Sequence, residues 1–204
     1  MNGFYEAVKG FTDVPIALVA LAFWILSKRN NRKEWGNFFL LLFLTASLGA
    51  VAHAFALPEA LWRSIWAVVF AGLFEIAFMF TKLFGRYVNS SINFNEKTFR
   101  WLQVIFCLAA IIAVAGFGHK EMLIFVVYSF CCIAFLVRCF IGTSNVPKNA
   151  TFFVLLLPVL LLMQTFNTVI PYAVDIEHIV LTVMLYVLYS ISKGNQEGVL
   201  PCSM

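Results

Sequence analysis

The sequence predicts an all-α polytopic membrane protein, a seven-transmembrane-helix bundle with its N-terminus outside and its C-terminus in the cytoplasm. Hydrophobic residues make up 62% of the 204 positions and charged residues only 12%, whereas a soluble domain is nearer half apolar and a quarter charged. Apolar runs of about 20 residues, the length that crosses a bilayer, recur seven times. We therefore expect lipid as the solvent and residues 1–204 as a single transmembrane domain.

The seven predicted spans follow one another with short loops. The first is short, and because it lacks a basic segment before its apolar run, it is kept as a span rather than a signal peptide. A tight turn at Pro171 separates the last two. The spans are Phe11–Ser27, Trp35–Leu57, Trp62–Phe84, Phe99–Phe117, Met122–Ile141, Thr151–Ile170 and Tyr172–Ser192.

The basic residues orient these spans, since positive charge is retained in the cytoplasm during insertion. Three of the fourteen, Lys9, Arg63 and Lys120, lie on one side of the predicted membrane. The other eleven lie on the opposite side, which is therefore predicted to be cytoplasmic: Lys28, Arg29, Arg32, Lys33, Lys82, Arg86, Lys97, Arg100, Arg138, Lys148 and Lys193. The formal charge of +4 reflects these loops, and we expect no nucleic-acid partner.

Ionisable residues gather near the outer ends of spans 1, 2 and 7. Asp175 and His178 are three residues apart and share a helix face. By helix rise, His178 lies about 9 Å and His53 of span 2 about 6 Å below the outer surface. Asp13 opens span 1, and Glu6 precedes it. Because intramembrane ionisable groups usually face the bundle interior, we expect these side chains to converge in one polar layer.

Two histidines and a carboxylate can hold a catalytic zinc ion and leave one position for water. In this hypothesis His53, His178 and Asp175 are the metal ligands, and Asp13 carries protons as the catalytic acid or base. Further candidates for the polar layer in span 6 are Gln164 and Asn167. The alternatives are structural: either aspartate can cap its helix, and either histidine can hydrogen-bond to a carbonyl in the core.

Glu75 lies near the middle of span 3, deeper than the polar layer. A carboxyl group there is expected to be neutral or hydrogen-bonded. It can belong to a proton path, or it can be a structural acid bonded to Thr45 or Thr182, which are predicted at similar depth.

Three short motifs carry a resemblance: Thr-Asp at the head of span 1, Gly49-x-x-x-His53-x-Phe55 in span 2, and Asp175-x-x-His178 in span 7. They resemble a family of uncharacterised bacterial seven-span membrane proteins, which implies the bacterial inner (cytoplasmic) membrane. More distantly, the layout is similar to the alkaline ceramidases and adiponectin receptors, a superfamily of seven-span zinc amidohydrolases.

The distant resemblance implies that His53 and His178 are zinc ligands. The sequence departs from the superfamily pattern where a second span-7 histidine would fall, since Thr182 stands there, and at Gly49, which replaces a serine. Microbial rhodopsins share the seven-span layout but hold retinal on a last-span lysine. Here the last span has no lysine before Lys193, at its inner end.

The leading functional hypothesis is a metal-dependent membrane hydrolase that acts on a lipid or an amide at the outer polar layer. The expected partners are membrane lipid and a small-molecule or lipid substrate. The alternative is a non-enzymatic carrier of protons or small molecules, or a sensor, that uses the same layer. A carrier requires polar groups that continue inward, and Glu75 is the strongest candidate for such a group.

Overall fold

The structure, a computed structural model, contains α-helices joined by turns and short loops, with no strand, in the residues it describes: 2–55, 57–116, 121–165 and 173–194. Side chains are described for 13–55, 57–115, 123–159, 176 and 178–193. Seven helices occur in this part of the chain: α1 Asn2–Arg29, α2 Lys33–Ala54, α3 Glu59–Val88, α4 Glu96–Gly116, α5 Glu121–Ile141, α6 Lys148–Thr165 and α7 Ala173–Gly194.

The helices lie where the apolar runs predict them, except at the start of the chain. The predicted first span begins at Phe11, but α1 begins at Asn2. Asp13 therefore lies well inside a helix, and the alternative that it caps span 1 is wrong. Pro15 also lies inside α1. Proline within an apolar helix is tolerated where neighbouring helices satisfy the freed carbonyl.

Within the described residues, four helices are long and apolar enough to cross a membrane: Lys33–Ala54, Glu59–Val88, Glu96–Ala115 and Leu123–Ile141. Shorter apolar helical segments occur at Lys148–Val159 and His178–Lys193. The outward faces of α4 and α5 carry exposed large side chains such as Leu108, Ile112 and Phe130. An apolar surface of this extent indicates a membrane protein, because water-exposed proteins rarely display it.

The core has two parts, and α3 belongs to both. Near the middle of α3, Phe70 and Phe74 pack with α4 and α5 around the fully buried Tyr128. At its C-terminal end, Leu83 and Phe84 join a larger cluster formed with α1, α2, α5, α6 and α7. Helix α1 packs against α2 and α7. This arrangement brings the three helices of the predicted polar layer side by side.

Candidate functional site

A carboxylate–imidazole pair joins α1 to α7. The Oδ1 atom of Asp13 lies 3.0 Å from Nε2 of His178, within hydrogen-bond distance. The side chains are 21% and 18% exposed, respectively, so most of the pair is withdrawn from the surface. The contact is an ion pair when the imidazole is protonated and a hydrogen bond when it is neutral.

Helix α2 packs against this pair at Gly49. A Cβ atom placed on Gly49 would lie 3.4 Å from Oδ2 of Asp13. The absence of a side chain therefore lets the backbone of α2 approach the carboxylate. Asp13 is thus held at the point where α1, α2 and α7 meet, as the polar-layer prediction requires for spans 1 and 7.

His53 lies four residues after Gly49 and hence on the same face of α2, about 6 Å further along the axis. Its ring meets Trp66 of α3 edge-on, with ring centroids 5.3 Å apart and planes at 77°. The imidazole is half-buried. The structure therefore shows His53 in an aromatic contact with α3, one turn from Gly49 along α2.

A second polar cluster lies deeper, between α3 and α4. The carboxylate of Glu75 accepts hydrogen bonds from Arg100 and from Nε2 of Gln103, the latter at 2.7 Å. Arg100 also donates to Oε1 of Gln103 at 2.8 Å. The guanidinium carbon lies 3.7 Å from the centroid of the Phe78 ring, a cation–π contact. Glu75 is thus neutralised by a fixed cation.

The sequence predicts Thr45 or Thr182 as the partner of Glu75. In the described part of the chain, Glu75 bonds instead to Arg100 and Gln103. Thr182 donates its hydroxyl to the His178 carbonyl one turn earlier. Sequence reasoning missed Arg100 because it counted that residue with the α3–α4 loop. Arg100 lies in the second turn of α4, and its long side chain reaches toward the middle of α3. The available signal was the Arg100–Gln103 spacing, which places both on one face.

One buried polar side chain of α2, Thr45, lies between the two clusters. Thr45 lies one turn before Gly49 and is buried. Its side chain contacts Gly72 of α3 so closely that a Cβ atom there would overlap it. Thr45 and Glu75 line the same cavity between α2 and α3. The interior face of α2 thus leads from the Asp13–His178 pair to the Glu75 cluster.

Comparison with known proteins establishes the family. Residues 8–196 match DUF6962, a family of unknown function. The chain belongs to DUF6962. No curated protein and no solved structure shows a significant match to it. The DUF6962 match covers all seven helices except the first residues of α1, so the Asp13–His178 pair and the Glu75 cluster both lie within the family region.

The remaining predicted site residues of this DUF6962 protein lie outside the described side chains. These are Glu6, Gln164, Asn167 and Asp175. Among the described residues, no three His, Cys, Asp or Glu side chains are grouped closely enough to hold a metal ion. The metal site at His53, Asp175 and His178 therefore stays a prediction, as does the resemblance to the membrane amidohydrolases.

Proposed function

We propose that the protein is a proton carrier, with the Asp13–His178 pair as its proton-binding site. The observation that carries the proposal is the 3.0 Å contact between these side chains at the junction of α1, α2 and α7. Ionisable groups inside a membrane are costly and are typical of ion and proton pathways. A carboxylate and an imidazole in contact can share and pass on a proton near neutral pH.

The second polar cluster supports a carrier. A carrier requires polar groups at more than one depth, because a proton or solute must leave the outer layer toward the opposite side. Thr45 and then Glu75 follow the outer pair toward the middle of the bundle. Arg100 holds Glu75 through a hydrogen bond.

The proposal includes a topology of seven spans with the N-terminus outside, in the bacterial cytoplasmic membrane. In four helices, the described residues alone are long and apolar enough to cross a membrane. The distribution of basic residues orients them. In this topology the Asp13–His178 pair opens toward the outside, and the Glu75 cluster lies between it and the cytoplasm.

Proton movement in liposomes tests the carrier proposal. Purified protein is reconstituted around a trapped pH-sensitive dye, and a potassium diffusion potential is imposed. We expect proton uptake above that of empty liposomes, lost in Asp13→Asn and His178→Ala and strongly reduced in Glu75→Gln. His119→Ala is the matched control, since the sequence places that imidazole in a loop, and it should retain full uptake. Wild-type uptake equal to empty liposomes would overturn the proposal.

A second candidate, a zinc-dependent hydrolase acting on a lipid or amide, is favoured by one detail of the same pair. Metal-binding histidines commonly donate their other ring N–H to a carboxylate, which orients the ring. Asp13 is placed to do this for His178. Imidazole nitrogens of His53 and His178 with a carboxylate of Asp175 form a donor set that zinc accepts. A bound zinc ion would supply an acidified water as nucleophile.

Elemental analysis of protein purified without chelator separates the two candidates. The hydrolase requires about one zinc per chain, lost in His53→Ala and in His178→Ala but kept in Asp13→Asn. The carrier proposal requires no metal. It predicts that Glu75→Gln reduces proton uptake as much as His53→Ala does. Metal-free wild-type protein would eliminate the hydrolase.

A further inference from the structure

Two adjoining cavities form a continuous groove along the seam between α2 and α3. Their volumes are about 480 and about 590 Å³. Both are lined by Leu41, Leu44 and Glu75, so they meet at the middle of the seam. Leu44 is 48% exposed, which shows that the groove opens on the outside of the bundle. We call this feature the α2–α3 groove.

The α2–α3 groove is polar at one end and apolar at the other. The polar end is lined by Glu34, in the first turn of α2, with Asn37, Lys82 and Arg100. Beyond Leu41 the lining becomes almost entirely apolar and ends near Val51. From Leu41 to Val51 the helix rises about 15 Å. This equals half of a hydrocarbon core of about 30 Å, the depth of one lipid leaflet.

Acids and bases are balanced at the polar end. Lys82 lies 3.4 Å from a carboxylate oxygen of Glu34 and 3.0 Å from one of Glu96. Arg86 lies 3.4 Å from the other oxygen of Glu34. Together with the Glu75–Arg100 pair described above, the charged residues that line the polar end and their ion-pair partners include as many carboxylates as cations.

We propose that the α2–α3 groove binds one glycerophospholipid with a zwitterionic head that carries a primary ammonium. The phosphate lies against Lys82 and Arg100, and the ammonium against Glu34. An acyl chain follows Leu44 toward Val51, in the apolar part of the groove. The length of that part and its position beside a polar helix end match a lipid of one leaflet.

Charge balance selects the head group. A purely anionic lipid would displace carboxylates from Lys82 and Arg100 and leave those acids unpaired near the low dielectric of the bilayer, which is costly. A zwitterion supplies a partner of each sign. Partly exposed ion pairs such as Lys82–Glu34 are individually weak, so exchanging them for the head group costs little. A primary ammonium fits carboxylate oxygens because it has three N–H donors.

Native mass spectrometry of the protein released from nanodiscs tests the proposal. The nanodiscs contain equal parts of phosphatidylethanolamine, phosphatidylcholine and phosphatidylglycerol. We expect one retained lipid per chain, predominantly phosphatidylethanolamine. Leu44→Trp fills the junction of the two cavities and should reduce the lipid-bound fraction about tenfold, a loss of about 1.4 kcal/mol. Leu108→Trp is the matched control on the exposed face of α4 and should retain the lipid.

The head-group contact has its own pair of variants. Lys82→Gln should abolish the preference for phosphatidylethanolamine over phosphatidylglycerol, whereas Lys97→Gln, at the exposed start of α4, should leave it unchanged. Phosphatidylglycerol as the predominant lipid, equal retention by Leu44→Trp and wild type, or a co-purifying protein in place of lipid would each overturn the proposal. Because the readout is lipid retention, the result is independent of proton transport and of metal content.

Discussion

Asp13 and His178 are costly to bury singly and stabilise each other as a pair. Each lies on an apolar helix with most of its side chain withdrawn from the surface. An unsatisfied polar group in such surroundings costs roughly 1–3 kcal/mol. The pair therefore contributes to the packing of α1 against α7 in addition to any role in proton binding.

A double-mutant cycle measures this contribution. Asp13→Ala, His178→Ala and the double variant are compared by thermal unfolding in detergent. We expect a coupling free energy of about 0.6 kcal/mol, and at most about 2 kcal/mol, the range found for hydrogen bonds between membrane helices. The control cycle combines Asp13→Ala with Ser129→Ala, whose hydroxyl bonds within α5. That cycle should be additive within about 0.5 kcal/mol. Additivity of Asp13 with His178 would show that their contact is energetically silent.

Helix α2 is the element that joins the Asp13–His178 pair to the rest of the bundle. Gly49 admits Asp13 of α1, and Thr45 packs on Gly72 of α3. Both contacts rely on a glycine where two helices approach closely. Such small-residue contacts replace the hydrophobic effect, which does not drive helix association in lipid.

Substitution of Gly72 tests this packing. In Gly72→Ala the new Cβ atom would overlap the Thr45 hydroxyl, so Thr45 must move, at a cost of roughly 1–3 kcal/mol. Thr45→Ala in the same chain should restore most of the loss. In the control Gly36→Ala, the Cβ atom would lie 3.7 Å from Cβ of Ser27, an ordinary contact. That variant should be neutral or more stable by up to about 1 kcal/mol. Equal unfolding midpoints for Gly72→Ala and Gly36→Ala would contradict the packing argument.

The Glu75–Arg100 pair links α3 to α4 and predicts a pattern of stabilities. Arg100→Leu leaves the Glu75 carboxylate without its cation, and removing one partner of a partly buried pair is more damaging than removing both. The Arg100→Leu/Glu75→Leu variant should therefore unfold at a higher temperature than Arg100→Leu alone. Arg138→Leu, an exposed arginine on α5, is the control and should change the midpoint little. A double variant less stable than Arg100→Leu would refute the pairing.

The sequence predicts helix positions well because each apolar run has the length of a span and ends at charged or turn residues. It predicts the start of α1 poorly, since Asp13 and Pro15 together read as the beginning of a helix but lie inside one. The sequence places Asp13 and His178 in one layer only because both are predicted near the same end of their spans. It does not predict the Glu75 partners, because the reach of a long Arg100 side chain is invisible to a count of residues along each helix.

Two clusters that share α3 give the bundle its overall organisation. Helices α4 and α5 pack mainly on α3, whereas α1, α2, α6 and α7 form the rest. The Asp13–His178 pair belongs to the second group, and the Glu75 cluster lies at the boundary with the first. The α2–α3 groove lies along the same boundary.

The orientation of the bundle decides which side the Asp13–His178 pair serves, and thiol labelling tests it. Cys202 is replaced by serine, and one new cysteine is introduced at Arg32 or at Ala60. Because basic loops are retained in the cytoplasm, Arg32→Cys should resist a membrane-impermeant maleimide in intact cells and react after permeabilisation. Ala60→Cys, exposed at the start of α3, should react in both preparations. Labelling of Arg32→Cys but not of Ala60→Cys in intact cells would invert the topology. The pair would then open to the cytoplasm, and the α2–α3 groove would draw its lipid from the outer leaflet.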